Sequence, residues 1–250
     1  MKRTALVTGA SSGIGMEIAR LHAAQGGDLI LVARTTSKLK VLREGLVDTY
    51  EVEVMTMPKD LSIPDAAHEL YEAVMQEGIH VEYLFNVAGV AEYGPFHAAD
   101  WDRTEMMMNV NMLALTQLTY LFGGDMLSEG YGGIVNVSSA DDLQPPELLA
   151  VYNASKHFVE VFTEALAPVW QEQGVNLKAY CPPPADTNFY STLHGPPAPN
   201  ELESLQVVAK EAYESILARP SSSATPESGV LSKAMSWLPK GIRKGLARED

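Results

Sequence analysis

An apolar run, a glycine-rich loop and an amphipathic helix open the chain, and no other stretch limits the choice of fold so strongly. Residues 4–8 are typical of a buried strand, the loop occupies residues 9–15, and helical spacing extends over residues 16–25. This order brings backbone N–H groups and a helix N-terminus to one point, where they bind phosphate. A tight turn that needs positive φ is the alternative explanation. The candidate phosphate-binding residues are Gly9, Ser11, Ser12, Gly13, Ile14 and Gly15.

Strand-like and helix-like segments alternate along most of the chain. Further strands are predicted at residues 29–33, 52–57, 81–85, 133–139 and 175–180. Helices are predicted at residues 37–48, 65–77, 99–126, 151–170 and 201–218. This alternation requires right-handed crossovers and a parallel sheet with helices on both faces. The sequence therefore predicts an α/β, single-domain Rossmann fold, with a doubly wound parallel sheet of six or seven strands, over residues 1–229, followed by a tail at 230–250.

Tyr152 and Lys156 are four residues apart in a stretch with helical apolar spacing, so they share one face of the predicted helix. A lysine ammonium beside a phenol favours the phenolate form. A tyrosine in that setting can exchange a proton with a substrate oxygen near neutral pH. Ser139 ends the strand-like run before the preceding loop, and its hydroxyl is expected at the same place. The pair alone is weak evidence, and the rest of the chain strengthens it.

Arg34 and Asp60 each follow a predicted strand and are candidates for binding the adenosine half of a dinucleotide. An acid at the end of the second strand binds a ribose 2′-hydroxyl, whereas an arginine can bind a 2′-phosphate. Arg34 therefore favours NADP, with a solvated strand-end arginine as the alternative. Asp60 either accepts the adenine amino group or caps the helix that begins near Pro64.

Asn111 lies among apolar residues of the long helix predicted at 99–126, so it needs a partner if it is buried. It either bonds a neighbouring carbonyl or holds a water that leads to the Lys156 ammonium. Later in the chain, residues 181–200 contain several prolines and no clear periodicity. They are expected to form a substrate loop at the carboxyl end of a strand, with a disordered linker as the alternative. Cys181 belongs to no nucleophile motif and is expected to be a small buried residue.

The composition excludes several classes of function. A net charge of −14 argues against nucleic-acid binding, which needs basic patches. The single cysteine excludes an internal disulfide and fits a reducing compartment. The six histidines show no metal-ligand spacing, and no apolar run approaches the length of a membrane-spanning helix. A cytoplasmic protein with a small-molecule substrate, no metal and no membrane span is expected. The basic, amphipathic tail at 230–250 is expected to pack on the domain or on another subunit, with loose binding to an anionic membrane as the alternative.

Five elements together resemble the short-chain dehydrogenase/reductase family over about residues 3–190. They are the glycine loop at 8–15, the segment Asn86-Val87-Ala88-Gly89, Asn111, Ser139 and the Tyr152–Lys156 pair. The strand end at Arg34 and the segment after Asp60 are similar to those of bacterial NADP-dependent carbonyl or 3-oxoacyl reductases. The resemblance implies an NADPH-dependent carbonyl reductase, reversible as an alcohol dehydrogenase, that assembles as a homodimer or homotetramer through its long helices.

The resemblance also implies individual roles. Tyr152 would donate a proton to the substrate, Ser139 would hydrogen-bond the developing alkoxide, Lys156 would bind the nicotinamide ribose, and Asn111 would support a water relay. Further cofactor contacts would come from Thr35, Leu61, Asn86, Ala88, Gly89, Pro182, Ala185 and Thr187. The substrate pocket would include Asp141, Leu143, Leu149, Phe189 and Tyr190.

Two departures from the family pattern motivate an alternative. Val87 replaces the second asparagine of the family's N-N-A-G segment, and Pro183 stands where glycine is usual beside the nicotinamide. Proline fixes φ near −65° and has no N–H, so a turn that needs positive φ is not possible there. The alternative is a non-catalytic NADP-binding sensor or scaffold on the same fold. An epimerase or dehydratase on this scaffold is a third, less favoured hypothesis.

Overall fold

Six parallel strands form one sheet in the computed structural model, which describes residues 3–139, 145–185 and 202–217. The strands are β1 (Thr4–Thr8), β2 (Asp28–Ala33), β3 (Val54–Pro58), β4 (Tyr83–Asn86), β5 (Gly132–Val137) and β6 (Val175–Tyr180). Their order across the sheet is β3-β2-β1-β4-β5-β6. The prediction of a doubly wound parallel sheet is therefore confirmed, with six strands among the described residues.

Seven α-helices connect or follow the strands in the described part of the chain. They are α1 (Gly13–Ala24), α2 (Thr36–Tyr50), α3 (Ala66–Gln76), α4 (Trp101–Met108), α5 (Leu115–Glu129), α6 (Ala150–Glu172) and α7 (Leu205–Leu217). The predicted start of the first helix at residue 16 was wrong. The N–H of Met16 bonds the Ser12 carbonyl at 3.3 Å, so the last residues of the glycine loop already form the first helical turn.

The helix predicted as one piece at 99–126 contains a π-helical segment, Asn109–Ala114, between α4 and α5. A π-helical turn inserts an extra residue into the helical repeat, and apolar spacing alone does not reveal it. Asn111 lies in this segment and is 1% exposed. The irregular turn therefore coincides with the buried asparagine that the sequence singles out.

The strands bury both of their faces, which explains their continuous apolar sequences. Val7 and Leu31 pack into one apolar cluster, together with residues of α1, α2 and α7. Their neighbours Leu6 and Ile30 pack into a second cluster, together with residues of α3, α5 and α6. Side chains alternate between the two faces of a strand, so each strand contributes to both layers.

The strand order reverses between β1 and β4, which pair in parallel with Val7 opposite Phe85. In open α/β sheets, ligands bind in the crevice at the carboxyl ends of the strands at such a reversal point. The glycine loop follows β1 and the segment Asn86–Gly89 follows β4. The topology therefore brings these two sequence elements together at one edge of the sheet.

Two adjacent glycines of α5 give a matched test of the packing on this side of the sheet. A Cβ at Gly123 would lie 2.5 Å from two ring carbons of Trp170, whereas a Cβ at Gly124 would meet nothing within 4 Å. We expect Gly123→Ala to lower the free energy of unfolding by about 1–3 kcal/mol, because the indole must move. Gly124→Ala is expected to raise it by about 0.5–1 kcal/mol, because alanine favours the helix. Urea denaturation of both variants measures this difference, and shifts of the same sign would contradict it.

Candidate active site

The glycine loop is packed too closely to accept larger side chains. Gly9 has φ +69°, and a Cβ on it would lie 3.0 Å from the backbone of Ala88. A Cβ on Gly15 would lie 2.7 Å from the carbonyl oxygen of Gly9. Ser12 precedes α1 and gives the helix no side-chain capping bond. The loop therefore presents backbone and a helix N-terminus at the sheet edge, as phosphate binding requires.

Thr8 joins the ends of β1 and β4. Its hydroxyl donates to the carbonyl of Phe85 at 3.3 Å and accepts from the N–H groups of Val87 and Ala88 at 3.0 and 3.1 Å. This contact holds the Asn86–Gly89 segment against the glycine loop. Thr8 was not among the predicted site residues, although a threonine that ends a strand directly before a glycine loop indicates a side chain at that site.

Arg34 and Thr35 are exposed after β2, as expected for residues that bind a ligand from solvent. Asp60 accepts hydrogen bonds from the N–H and hydroxyl of Ser62 at 3.0 and 2.7 Å. Partial burial opposes ionisation of Asp60, but the two Ser62 bonds and the Arg34 charge outweigh it and lower the pKa of this carboxyl group. Of the two alternatives for Asp60, the helix cap was wrong, because α3 begins at Ala66 and Asp60 bonds Ser62 instead. Leu61 is buried beside it.

Asn86 belongs to a buried polar network between the central strands and the helices. Its amide donates to Asn136 Oδ1 at 2.9 Å and to the Thr119 hydroxyl at 3.2 Å. Asn136 in turn donates to the Thr163 hydroxyl at 3.0 Å. These bonds hold β4, β5, α5 and α6 together despite Val87, whose side chain packs on the apolar core. The departure at Val87 therefore leaves the central strands cross-linked by other side chains.

Asn111 bonds the backbone beside the glycine at the end of the Asn86–Gly89 segment. Its Oδ1 accepts from the Val90 N–H at 3.0 Å, and its Nδ2 donates to the Val90 carbonyl at 2.9 Å. Nδ2 also lies 3.0 Å from the hydroxyl oxygen of Ser155, which itself donates to the Tyr152 carbonyl at 2.7 Å. The expectation that Asn111 bonds a neighbouring carbonyl is confirmed, and its part in a water relay stays a prediction.

Lys156 and Tyr152 lie on one face of α6, both buried, and the lysine Nζ is 6.0 Å from the centre of the tyrosine ring. The Nζ donates to the Val137 carbonyl at 2.9 Å. Burial lowers the pKa of Lys156 to about 8. A Cβ on Gly89 would lie 3.3 Å from Nζ and 3.5 Å from Asn111 Oδ1. The structure thus brings Lys156, Asn111 and the end of β4 together.

The two serines after β5 have different surroundings. The hydroxyl of Ser138 lies 2.8 Å from both the Lys156 carbonyl and Glu160 Oε1, so it joins the strand end to α6. Ser139 is the next residue and is only partly buried. This arrangement agrees with the choice of Ser139, rather than Ser138, as the serine with a role toward substrate, and that role stays a prediction.

Cys181 follows β6 and is exposed, so its prediction as a buried residue was wrong. Its thiol donates to Glu160 Oε1 at 3.2 Å, and Glu160 also accepts from Ser138. One carboxylate on α6 therefore links the ends of β5 and β6 one turn beyond Lys156. Glu160 was missed at the sequence level, because its partners lie on two separate strands.

An apolar cluster surrounds the ring of Tyr152. Met107 and Leu149 are each 2% exposed, and Val90, Ala91, Tyr93 and Val151 pack partly buried against them. A hydrogen bond from the Gly94 N–H to the Leu148 carbonyl, 2.9 Å long, joins the loops after β4 and β5 beside this cluster. Of the predicted substrate-pocket residues, Leu149 is here, whereas Asp141, Leu143, Phe189 and Tyr190 lie outside the described residues.

Only the start of the predicted substrate loop is described. Pro182 is partly buried, and Ala185 is buried and pairs with Glu203 in an isolated bridge, with the Glu203 N–H bonding the Pro184 carbonyl at 2.8 Å. Thr187 and the tail at 230–250 lie outside the described part of the chain. Within that part, no group of histidine, cysteine and acidic residues has the arrangement of a metal site, and no helix is long and apolar enough to cross a membrane.

Comparison with known proteins places this geometry in a family. A family model described as short chain dehydrogenase matches residues 3–195. The chain is 34% identical to 2-dehydro-3-deoxy-D-gluconate 5-dehydrogenase of Bacillus subtilis (strain 168), over 72% of this chain and 70% of that protein. It is 30% identical to very-long-chain 3-oxoacyl-CoA reductase of Rattus norvegicus, over 71% of this chain. That match spans 58% of the rat protein, less than two thirds of its length.

A solved structure gives a likeness over nearly the whole chain. The structure of a short-chain dehydrogenase from Sphingobium yanoikuyae in complex with NADPH has a TM-score of 0.82 to this one, at 27% sequence identity. The alignment covers 99% of this chain and 96% of that chain. Since so much of both chains is aligned, the likeness extends well beyond the sheet and the glycine loop.

Proposed function

The chain belongs to the short-chain dehydrogenase family, and from that membership we propose that it is an NADPH-dependent oxidoreductase that reduces a ketone or aldehyde to an alcohol, reversibly. The observation that carries the proposal is that Lys156 and Asn111 both approach Gly89, next to the glycine loop, while Tyr152 lies beside Lys156 on α6. Overall, one carbonyl compound, one NADPH and one proton give one alcohol and one NADP⁺.

The residues at the sheet edge fit NADP(H). A side chain at Gly9 or Gly15 would clash with backbone atoms, so the loop is restricted to glycine at both positions. The N-terminus of α1 suits a pyrophosphate. Exposed Arg34 suits a 2′-phosphate. Asp60 lies close enough to Arg34 for the arginine charge to lower the pKa of the Asp60 carboxyl group. The remaining proposed contacts among the described residues are Ser11, Ser12, Gly13, Ile14, Thr35, Leu61, Asn86, Ala88, Gly89, Tyr152, Lys156, Pro182 and Ala185. When bound, NADPH supplies the hydride that the reduction needs.

Four side chains are proposed to act on the carbonyl group. The Tyr152 hydroxyl donates a proton to the carbonyl oxygen, and the Ser139 hydroxyl stabilises the developing alkoxide by a hydrogen bond. The Lys156 ammonium has three N–H donors, of which one is directed at Val137, and it binds the nicotinamide ribose and favours the tyrosinate. Asn111 supports a water that returns a proton toward Lys156.

A panel of carbonyl compounds tests the proposal. NADPH absorbance is followed with ketones, aldehydes and 3-oxoacyl esters as substrates, and NADPH binding is measured separately by fluorescence. Turnover with at least one class supports the oxidoreductase. Tight NADPH binding with only slow oxidation by every carbonyl would favour the non-catalytic sensor that Val87 and Pro183 motivate.

Arg34→Ala is expected to raise the KM for NADPH about 10- to 100-fold and leave the KM for NADH nearly unchanged. Loss of a hydrogen bond between charged groups costs about 1.5–3 kcal/mol, and only NADPH carries the 2′-phosphate. Initial rates with each cofactor measure the effect. Lys40→Ala is the control, because it removes an exposed positive charge from the adjacent helix α2. An equal change for both cofactors, or the same change in the control, would contradict the assignment of Arg34.

We also propose that the chain assembles as a homodimer or homotetramer through α5 and α6. Leu113 and Tyr120 are 64% and 74% exposed beside an apolar groove of about 670 Å³ that α3, the π-helical segment, α5 and α6 line. Val161 and Val169 of α6 are exposed as well, at 43% and 57%. A second copy would cover these side chains and remove apolar area from water. Sedimentation equilibrium measures the state, and a monomer at micromolar concentration would exclude it.

A further inference from the structure

We infer that the substrate is a ketone whose carbonyl carries plain hydrocarbon groups, as in an alkyl or aryl ketone, and that polyhydroxylated ketones are poor substrates. The inference rests on the proposed function, since it concerns what surrounds the carbonyl that Tyr152 protonates. Similarity does not decide the matter, because the Bacillus relative is named for a sugar acid and the rat relative for a long acyl chain.

The first support is the chemistry of the groups packed on Tyr152. The apolar and aromatic side chains that pack with it come from three parts of the chain: the loop after β4, helix α4, and the start of α6. They are Val90, Ala91, Tyr93, Met107, Leu149 and Val151. We expect the two substituents of a carbonyl carbon held next to the Tyr152 hydroxyl to meet these side chains, because they pack in one cluster with Tyr152. Methyl and methylene groups gain from that contact, whereas hydroxyl groups lose their water there.

The second support is that two polar side chains next to the cluster, those of Asn111 and Thr104, are already paired within the protein. The Asn111 amide bonds the Val90 backbone and the Ser155 hydroxyl. The Thr104 hydroxyl lies 3.0 Å from both Glu92 Oε2 and the Asp100 carbonyl. A substrate hydroxyl that met only Asn111 and Thr104 would have to displace one of these bonds or stay without a partner, at a cost of about 1–3 kcal/mol for each group.

The third support is charge. Glu92 lies between Ala91 and Tyr93 of the cluster, is partly buried, and has its carboxyl group bonded to Thr104. Its negative charge disfavours a carboxylate on the substrate near the carbonyl, such as that of a sugar acid. The described residues thus favour a group that is both apolar and uncharged at this position.

A pair of ketones with the same number of heavy atoms tests the inference on the wild-type protein. Pentan-3-one and 1,3-dihydroxypropan-2-one differ only in having a methyl or a hydroxyl group at each end. We expect kcat/KM for pentan-3-one to be at least about tenfold higher, because a hydroxyl group held against the apolar side chains loses its water. A higher kcat/KM for the dihydroxy ketone would overturn the inference and leave the proposed reductase standing. If the protein reduces neither of these ketones nor any other carbonyl compound of the panel, both the inference and the proposed function are wrong.

Two variants on one helix then locate the preference. Met107→Gln places an amide in the cluster with little change in volume, and it is expected to reduce the kcat/KM ratio of the two ketones at least about threefold. Met106→Gln is the matched control, since Met106 is the preceding residue of α4 and is not part of the cluster. Its ratio should equal that of the wild type. Equal ratios in all three proteins would remove Met107 and its neighbours as the source of the preference and overturn the inference as argued from this cluster.

Discussion

Tyr152→Phe is expected to lower kcat by about 10²–10⁴-fold while NADPH binding stays within about twofold of the wild type. The change removes one hydroxyl and keeps the ring, so the packing against Met107 and Leu149 is preserved. Without the hydroxyl, no group at that position donates a proton to the carbonyl oxygen, and general acid catalysis contributes factors of this size. NADPH oxidation measures kcat, and a fluorescence titration measures cofactor binding.

Tyr50→Phe is the control for this prediction, because Tyr50 is exposed at the end of α2 and loses the same hydroxyl. Its kcat should not change. A thermal melt of Tyr152→Phe that matches the wild type would show that the fold is intact. Near wild-type reduction by Tyr152→Phe would mean that another group supplies the proton, and the role proposed for Tyr152 would be wrong.

Lys156→Met is expected to abolish measurable turnover, a loss of at least about 100-fold, without lowering the stability of the protein at pH 7. The buried ammonium is costly, and the methionine is apolar. The Val137 carbonyl loses its 2.9 Å partner, which costs about 1 kcal/mol, but the cost of burying the charge is removed at the same time. A functional side chain that the fold holds at a cost in stability is common in active sites.

The pH dependence gives a second measurement on Lys156. Burial lowers the pKa of Lys156 to about 8 in the folded protein, against an ordinary value of 10.5. Between these values the unfolded chain binds more protons than the folded one, so this group adds stability as the pH rises. The free energy of unfolding of the wild type relative to Lys156→Met should therefore increase from pH 8 to pH 10, measured without added NADPH.

Lys210→Met is the matched control, since Lys210 is an exposed lysine of α7 that pairs only loosely with Glu214, at 3.7 Å. Neither turnover nor the pH dependence of unfolding should change in it. A difference between wild type and Lys156→Met that is flat from pH 8 to pH 10 would contradict the buried, proton-releasing lysine. Retained turnover would contradict its role in the reaction.

Much of the architecture was predictable because its signals are local. Continuous apolar runs indicated strands buried on both faces, and the six strands among the described residues match the predicted ones within a few residues. The glycines at positions 9 and 15 reflect a tight backbone approach. Tyr152 and Lys156 share a helix face by spacing alone. The sequence did not indicate the π-helical segment, because such turns are rare inside α-helices and no residue type marks them.

Two predictions were wrong because they gave a side chain the wrong surroundings. Asp60 was expected to cap a helix if it did not bind adenine, but a nearer partner, Ser62, takes its carboxylate. Cys181 was expected inside, yet its strand ends at the open edge of the sheet, where the thiol meets Glu160. Both errors come from assigning a side chain by residue type before its surroundings are known.

The amino-acid sequence by itself determined the alternation of strands and helices, the glycine loop, and the spacing of the tyrosine and the lysine, because each depends on neighbours within one or two turns or one strand. Only the tertiary structure decided that Lys156 is buried against Val137, that Asn111 secures Val90, and that apolar side chains from three segments enclose Tyr152. Burial and hydrogen bonding between distant segments set the proton affinity of a side chain and the chemistry of a pocket. The spacing of residues in the sequence does not show which distant segments meet.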